Sequence, residues 1–422
     1  MNKFVMSFNR LLEPKKQIPV SKQRFSNQAL IALIIPIIIE QFLALLVGIA
    51  DTLMISYAGE AAVSGVSLVN QLNNVFIMIF TALASGGAIV ASQYVGCEDR
   101  KNGNLAASQL VLLILLISVI LTAGIFVFGE NIFNLIFGRV ETSVFDAGMT
   151  YLYISAMSFP FLALYNGCAG LYRSMGKTKA IMNISIIMNI INVVGNYIGV
   201  FILHAGVAGV AYPSLISRIF AAVVMMVLSM KKDQMIYVEI KHVLSWNWNM
   251  VKRIFRIAIP NSIENGLFQI SKVALSSIVA LFGTVQIAAN GIAQSFWSMS
   301  ALFATAMGPA FVTVIGQYMG AGDKEGADYY MIKLLKMTYL GSVIWNFVFF
   351  LLTPFLLQFY SLSQEGKQLV IILVIIHNVF NALFCPTAFS LSNGLRAAGD
   401  IRYTMFSAFS QPLLSALSFQ SF

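Results

Sequence analysis

The chain has 422 residues, of which 58% are hydrophobic and 10% are charged, and its formal net charge is +9. Its charged fraction is about 15 points below that of a typical soluble domain, which argues against a water-soluble globular fold and for a chain embedded in lipid. The three cysteines contain no CxxC pair and indicate neither a disulfide framework nor a zinc site. No cleavable signal peptide is visible, because the apolar run after the polar, basic residues 1–25 is too long for an h-region.

Long apolar segments then follow one another along the chain. Each is long enough for a bilayer crossing, which needs about 20 residues in a helix. We predict membrane helices near 28–57, 62–95, 104–128, 144–172, 179–203, 207–230, 250–282, 286–319, 328–357 and 367–395, and an incomplete one from 402.

Basic residues lie on alternate sides of these segments. Of the 26 Lys and Arg residues, 22 lie before the first segment or follow the second, fourth, sixth, eighth or tenth, in the loop or in the first turns of the next segment. The loops between carry only Arg139 and Lys367. Because cytoplasmic loops are enriched in Lys and Arg, we expect the N-terminus in the cytoplasm. The net charge then reflects membrane topology, and a nucleic-acid partner is not expected.

The sequence repeats itself after 224 residues. The recurring residues are Pro36 and Pro260, Glu40 and Glu264, Gly59 and Gly283, Gln93-Tyr94-Val95-Gly96 and Gln317-Tyr318-Met319-Gly320, and Asp99 and Asp323. Later, residues 170–176 resemble residues 394–399 with a slip of one residue. Six segments separate the copies, so both enter the membrane in the same direction, as in transporters with parallel repeats.

These patterns predict an all-α membrane protein of two tandem six-helix bundles, related by a pseudo-two-fold axis along the membrane normal. We expect a cytoplasmic N-terminal segment over 1–25, an N-terminal bundle over 26–230, a cytoplasmic linker over 231–249 and an incomplete C-terminal bundle over 250–422. The charged linker contains Trp246 and Trp248, a residue type that suits the membrane interface.

One set of polar residues lies at similar depth in three helices of the N-terminal bundle. It consists of Asp51, Asn192, Asn196 and Ser214. Oxygen ligands suit Na⁺, and a buried carboxylate can take up H⁺, so we predict a coupling-ion site, with Na⁺ as the possible metal at Asp51, Asn192 and Asn196. The alternative is ordinary hydrogen bonding between membrane helices.

A second set of polar residues follows the prolines of the first and seventh segments. It consists of Glu40, Glu264, Asn265, Gln269 and Lys272. Ionisable groups inside a membrane are costly and mark functional sites by default, so these residues could line a substrate cavity; polar contacts between helices are the alternative. Arg218, in the middle of the sixth segment, is interpreted more readily as a structural pair than as a substrate ligand.

Several motifs resemble the multidrug and toxic compound extrusion (MATE) family over about residues 26–405. They are Pro36 with Ala50-Asp51-Thr52, Gln93-Tyr94-Val95-Gly96 with its second copy, Asn192-x-x-x-Asn196, Gly209-Val-Ala-Tyr-Pro-Ser214 and Gly170-x-x-Arg173-x-x-Gly176. The resemblance implies twelve helices in two bundles and export of drugs or metabolites driven by inward Na⁺ or H⁺.

The resemblance also assigns residues. Asp51 matches the acidic residue of helix 1 that binds the coupling cation, Asn192 matches the Asn of helix 5, and Ser214 stands where the family has Thr. Asn196 departs from the Asp often found at its position. Phe268 and Cys385 stand at positions that are acidic in some branches, so a second ion site in the C-terminal bundle is not expected.

The C-terminal sequence departs from the family pattern as well. After Tyr403 the family would continue through helices 11 and 12, but here a Ser-rich stretch with Pro412 ends at residue 422. The sequence therefore predicts a C-terminally truncated member, with helix 11 incomplete and helix 12 missing.

The favoured function is a secondary active antiporter in a bacterial inner membrane that exports drugs or other small, cationic amphiphilic compounds in exchange for Na⁺ or H⁺. The alternatives are a flippase for lipid-linked saccharides, for which only Arg218 and Lys272 offer cations within the spans, and an inactive truncated transporter. Without an HExxH motif or a P-loop, an enzyme is not expected. We expect no cofactor, a monomer, and a small-molecule substrate and the lipid bilayer as partners.

Overall fold

The structure is a computed structural model that describes residues 12–138, 140–279, 284–359, 364–400 and 404. Within the helices, the side chains of residues 270, 272–279, 284, 285, 287, 288 and 359 lie outside this description. The incomplete helix predicted from residue 402 also lies outside the described residues, apart from Thr404.

The first half of the chain forms six long helices. They are α1 (Asn27–Ser56), α2 (Glu60–Gly96), α3 (Arg100–Phe137), α4 (Thr142–Ser174), α5 (Thr178–Tyr197) and α6 (Ala208–Ser229). A π-helical segment, Ile198–Ile202, extends α5, and a short linker helix, Ile240–Val243, follows α6. All six long helices lie close to the apolar segments predicted from the sequence.

In the second half, the described residues form six further α-helices. They are α7 (Trp248–Val279), α8 (Thr284–Ser300), α9 (Leu302–Gly320), α10 (Lys324–Leu356), α11 (Gln364–Cys385) and α12 (Ser392–Ala398). Two predicted single helices are divided here. Ala301 separates α8 from α9, and the π-helical segment Pro386–Leu391 separates α11 from α12. Uniform apolar runs hide such interruptions, because hydrophobicity reports burial in lipid and not backbone continuity.

Equivalent aspartates begin equivalent helices in the two repeats. The Asp99 Oδ1 accepts a hydrogen bond of 3.1 Å from the Asn102 amide at the start of α3, and the Asp323 Oδ1 accepts one of 2.9 Å from the Gly326 amide at the start of α10. A side-chain oxygen in this position satisfies one of the amide groups that the first helical turn leaves unpaired. The repeat seen in the sequence thus has a direct counterpart in helix capping.

The chain divides into two compact units, and the division follows the repeat. The N-terminal unit is Ile39–Ser262, and the C-terminal unit comprises the described residues of Met1–Ile38 and Ile263–Phe422. The two boundaries, at residues 38 and 262, are separated by the same 224 residues as the repeat. As a result, α1 begins in the C-terminal unit and ends in the N-terminal one, and α7 does the reverse.

In the N-terminal unit, α4 occupies a central position, since it packs against α2, α3 and α6. One buried apolar cluster joins the end of α1 to α2 and α6 through Ile55, Val66 and Val210. A second joins α4 to α6 through Ile154 and Leu215. These contacts fix the relative depth of α1 and α6, which carry two of the four residues of the predicted ion site, Asp51 and Ser214.

In the C-terminal unit, α8 packs against α11, and α9 packs against α10 and α12. Phe296, Phe349 and Val374 belong to the apolar cluster that joins α8, α10 and α11. The segment before α1 also belongs to this unit. There the Lys333 ammonium lies 2.9 Å from the Glu13 Oε1, and the Tyr318 hydroxyl accepts a hydrogen bond of 2.7 Å from the Arg24 amide.

Nine helices in the described part of the chain are long and apolar enough to cross a membrane. Many of their large apolar side chains are exposed on the outside of the units, for example Ile120, Val127 and Phe347 at 60%, 68% and 62%. Such an apolar exterior is stable against lipid chains but not in water. The described residues form helices, turns and bends but no strand, and the prediction of an all-α membrane protein is confirmed.

Candidate coupling-ion site and repeat-related ion pairs

Small residues bring α5 and α6 into backbone contact. A Cβ atom added to Gly199 would lie 2.1 Å from the Gly209 carbonyl oxygen, and one added to Gly195 would lie 2.6 Å from the Pro213 Cβ. Glycines four residues apart allow this close approach, as they do at many interfaces between membrane helices. Asn196 and Asn192 lie next to this seam on α5, so the contact carries their amides toward α6.

The seam and the end of α1 assemble a continuous polar chain. The Asn196 Nδ2 donates to the Asp51 Oδ1 at 2.5 Å and to the Asn192 Oδ1 at 3.3 Å. The Asn192 Nδ2 in turn donates to the Ser214 Oγ at 2.9 Å, and this hydroxyl donates to the Val210 carbonyl at 3.1 Å. The structure therefore brings together all four residues of the predicted ion site, from three helices of one unit.

The oxygens of this polar chain differ in whether they accept a hydrogen bond and in how deeply they are buried. Asn196 is fully buried, and its Oδ1 accepts no hydrogen bond from any described residue. Asn192 is 6% exposed, whereas Asp51 and Ser214 are half-buried. A buried carbonyl oxygen without a donor is costly, and a cation beside it would remove that cost. The donor set of one carboxylate, two amide oxygens and one hydroxyl suits a hard cation.

Arg218 lies one helical turn beyond Ser214 on α6, within electrostatic range of Asp51. Its Nη1 donates to the Ser158 Oγ on α4 at 2.5 Å. A contact between two helices of one unit agrees with the interpretation of Arg218 as a structural residue and not a substrate ligand. It also places a fixed positive charge near the carboxylate of the polar chain, so that Asp51 does not face an entirely uncharged protein environment.

Glu40, predicted to line a substrate cavity, forms a buried ion pair. Its Oε1 lies 2.6 Å from the Arg173 Nη2 and accepts a hydrogen bond of 3.3 Å from the Tyr165 hydroxyl. Glu40 is only 6% exposed. The pair links α1 to α4 in the N-terminal unit, one turn after Pro36.

Glu264 forms the corresponding pair in the C-terminal unit. Its Oε2 lies 2.6 Å from the Arg396 Nη2, and the Arg396 Nη1 donates to the Asn393 Oδ1 at 3.0 Å. Asn265 is half-buried and Gln269 is exposed on the same helix. The side chain of Lys272 lies outside the described residues, so the structure leaves its predicted place in a cavity untested.

The two ion pairs are equivalent under the sequence repeat. Glu40 and Glu264 are 224 residues apart, whereas Arg173 and Arg396 are 223 apart, which reproduces the slip of one residue between the two glycine-flanked motifs. Both glutamates and both glycine-flanked motifs were identified from the sequence, but the pairing between a glutamate and an arginine in each repeat was not predicted. The signal was present, because two charged positions that recur together in both repeats are candidates for pairing inside a membrane.

With this geometry described, comparison with known proteins identifies the family. The family model described as MatE matches residues 36–198 and 260–418, one match in each repeat. The chain belongs to the MATE family. The resemblance inferred from sequence motifs and the two-repeat organisation are thereby confirmed, and the chain is a multi-pass membrane transporter.

Two curated relatives illustrate the relationship. The chain is 26% identical over 399 residues to the "Uncharacterized transporter YisQ" of Bacillus subtilis, covering 93% of this chain and 86% of the relative. It is also 26% identical over 346 residues to the "Probable multidrug resistance protein NorM" of Thermotoga maritima, covering 79% and 72% of the two chains. The MATE chain thus spans most of the length of both relatives.

Solved structures show the same fold. A MATE crystal structure in the straight conformation matches with a TM-score of 0.85 at 19% identity, covering 96% of this chain and 88% of the other. A multidrug resistance MATE transporter in an outward-facing conformation matches with a TM-score of 0.85 at 20% identity, covering 95% and 89%. At such identities the likeness establishes the fold alone.

Proposed function

We propose that this MATE protein exports drugs or other small, cationic amphiphilic compounds in exchange for Na⁺ or H⁺, with Asp51 as the residue that takes up the coupling ion. The observation that carries the proposal is the polar chain from Asp51 through Asn196 and Asn192 to Ser214. The names of relatives such as the multidrug export protein MepA of Staphylococcus haemolyticus support export of drugs as the activity.

The chemistry of the site favours ion exchange over a purely structural network. The Asn196 Oδ1, on the side chain that donates to the Asp51 Oδ1, has no donor among the described residues and offers an oxygen to a cation at Asp51. Either Na⁺ or H⁺ would neutralise the Asp51 carboxylate, and Na⁺ would also use the oxygens of Asn192 and Asn196. A neutralised carboxylate has a lower free energy than a charged one where the protein excludes water. An ion that neutralises Asp51 can therefore favour the arrangement of the bundles in which Asp51 is shielded from water.

We further propose that the N-terminus is cytoplasmic and that the protein acts as a monomer in a bacterial cell membrane. The alternation of basic loops supports this orientation, since it places the loop after α2 and the linker after α6 on the same side as the N-terminus. Its curated relatives come from bacteria. Ions would then enter the site near the outer ends of α1 and α5.

The test is dye export by the purified protein in liposomes, with Na⁺ and pH gradients imposed separately. A fluorescent organic cation should move against its own gradient when at least one of the two ion gradients is present, and dissipating that gradient should stop the movement. A neutral dye of similar size serves as the control for leakage. Export of the cation that ignores both gradients would rule out antiport.

A further inference from the structure

The linker between the bundles, residues 231–249, is held firmly against the start of α3. The Asn104 Nδ2 donates to the Glu239 Oε1 at 2.9 Å, and the Asn104 Oδ1 accepts from the Tyr237 amide at 2.9 Å. Gln109, fully buried, donates to the His242 and Ser245 carbonyls, both at 2.6 Å. These bonds use buried side chains of α3 and fix which face of the linker points outward.

The exposed part of the linker carries large apolar side chains alongside the polar Lys241, Ser245 and Asn249. Four large side chains there are more than half exposed, and they are Ile240 at 56%, Leu244 at 83%, Trp246 at 51% and Trp248 at 62%. The two indole rings stack with their centroids 6.3 Å apart. In water this arrangement would be unfavourable, but tryptophan and aliphatic side chains on a fixed segment suit the boundary between headgroups and acyl chains.

An open cavity of about 560 Å³ lies between the start of α3 and the part of the linker that precedes Ile240. Its lining is Arg100, Lys101, Asn104, Lys232, Tyr237 and Glu239. Three of these side chains are cations, and the Arg100 guanidinium stands over the Tyr237 ring with 5.3 Å to its centroid. The one carboxylate, Glu239, lies 3.1 Å from the Lys241 ammonium, which offsets its charge. The cavity therefore keeps a net positive lining.

Glu239 remains ionised in this setting. Burial raises its pKa, but hydrogen bonds from Asn104, Lys241 and Tyr237 outweigh that effect and leave the pKa below its ordinary value. The carboxylate is thus committed to contacts within the protein. Lys101 and Lys232 are the two exposed lysines at the cavity, and the Arg100 guanidinium, which donates to the Lys232 and Gln234 carbonyls of the linker, adds a third positive charge.

We propose that this cavity and the exposed apolar side chains of the linker together bind an anionic phospholipid of the cytoplasmic leaflet. The phosphate headgroup would lie among Arg100, Lys101 and Lys232, and the acyl chains would lie along Leu244, Trp246 and Trp248. Cations at the cytoplasmic surface attract anionic lipids, and apolar contact holds the same lipid by its chains. The inference rests on the membrane orientation proposed above, but it concerns a site separate from Asp51.

The proposal is tested by measuring lipid binding to the purified full chain in mild detergent with native mass spectrometry. Phosphatidylglycerol should bind about tenfold more tightly than phosphatidylcholine with the same chains. The double variant Lys101→Gln/Lys232→Gln should lose that preference. Lys179→Gln/Lys324→Gln removes two exposed lysines from the starts of α5 and α10, on the same predicted membrane side, and should keep it. Equal binding of both lipids, or an unchanged preference in the first double variant, would overturn the proposal.

Two further arms identify the source of the phosphate and the role of the exposed apolar side chains. Millimolar inorganic phosphate should leave bound phosphatidylglycerol in place, because free phosphate lacks the acyl contacts. Displacement of the lipid by phosphate would show a soluble phosphate site and overturn the lipid proposal. Trp246→Ser should weaken both lipids by a similar factor, whereas a change confined to phosphatidylglycerol would contradict the assigned position of the chains. Because the readout is binding and not transport, its failure is distinguishable from failure of antiport.

Discussion

Asp51 supplies the negative charge of the polar chain, and Asn192, Asn196 and Ser214 supply neutral oxygens around it. With one carboxylate, the site neutralises one positive charge. The contribution of each neutral partner depends on the orientation of its side chain, because a misplaced amide would leave a buried donor or acceptor without a hydrogen bond. Ser214 stands at the end of the chain and is the residue whose contribution is most easily isolated.

Ser214→Ala removes the oxygen that accepts from the Asn192 Nδ2 at 2.9 Å. An amide left without its acceptor costs about 1 kcal/mol, so the ion concentration for half-maximal dye export should rise about fivefold. Ser214→Thr keeps the hydroxyl and should stay near the parent value. The measurement is dye export in liposomes over a range of driving-ion concentrations. An equal shift in both variants would show that bulk, and not the hydroxyl, matters.

The ion pair between Glu264 and Arg396 leads to a second prediction for single residues. Arg396→Leu leaves the Glu264 carboxylate, 17% exposed on its side chain, without its cation. The loss of one partner of a buried pair should cost about 3 kcal/mol, and the double variant Glu264→Gln/Arg396→Leu should recover most of it. Thermal unfolding of the detergent-purified protein provides the comparison. Strictly additive effects would show that the pair contributes no coupling.

Helix contacts set the geometry of the site at the next scale. The backbone of the π-helical extension of α5 touches that of α6 where Gly199 meets Gly209, and this contact does not depend on side chains. The interruptions at Ala301 and at Pro386–Leu391 show that backbone continuity is not uniform among the apolar helices. Extended π-helical turns often occur near functional positions, and Ile198–Ile202 directly follows the helix that carries Asn196.

Gly199→Ala should separate these two helices. The added methyl group would lie 2.1 Å from the Gly209 carbonyl oxygen, so the helices must move apart and lengthen the contact between Asn192 and Ser214. We expect ion-driven export to be lost or strongly reduced. Gly124→Ala is the matched control, because nothing lies within 4 Å of the Cβ position there. Full activity of Gly199→Ala would mean that the contact does not position the site.

The segment before α1 provides a prediction about pH. Burial raises the pKa of Glu13, but hydrogen bonds from Tyr329 and Lys333 outweigh it and hold that pKa below the ordinary value. A lowered folded-state pKa means that this anchor is fully present above about pH 4.3, the usual value for Glu, and is lost as the pH falls through the lowered pKa. The protection factors of the segment's amides, which correct for the intrinsic pH dependence of exchange, should therefore fall in acid.

Glu13→Gln should produce the same loosening at neutral pH. The Gln side chain cannot form the ion pair of 2.9 Å with Lys333. Lys15→Gln, an exposed change two residues away, is the control and should leave exchange unaltered. Slow exchange retained by Glu13→Gln would show that the buried Leu12 and Ile18, and not the charge, hold the segment.

For the whole molecule, the sequence predicted the helices, the repeat and the family, because a bilayer imposes long apolar segments and duplicated residues keep their register. The partners of Glu40 and Glu264 were not predicted, since the contacts that bring Arg173 and Arg396 to them join helices about 130 residues apart. The unit boundaries at residues 38 and 262 also depend on packing. Hydropathy alone assigns a whole helix to one bundle and contains no sign of this division.

The four residues of the polar chain were chosen from depth and residue type alone. Their proximity could be predicted because Asp51, Asn196 and Ser214 lie in helices whose predicted ends were close to the observed ones, whereas their role as an ion site stays a prediction. It could not predict the order of the hydrogen bonds or the Asn196 Oδ1 left without a donor, because these follow from the rotation of each helix. It also gave no reason to expect Arg218 near Asp51.

The most direct test of the central claim is gradient-driven dye export by Asp51→Asn, with Asp146→Asn as an exposed acidic control. The asparagine preserves the size of the side chain, removes its charge and keeps one oxygen that can accept from the Asn196 Nδ2. We predict that Asp51→Asn still binds the dye in detergent but no longer moves it uphill under a Na⁺ or a pH gradient, whereas Asp146→Asn does both. Uphill export by Asp51→Asn under either gradient would contradict the account.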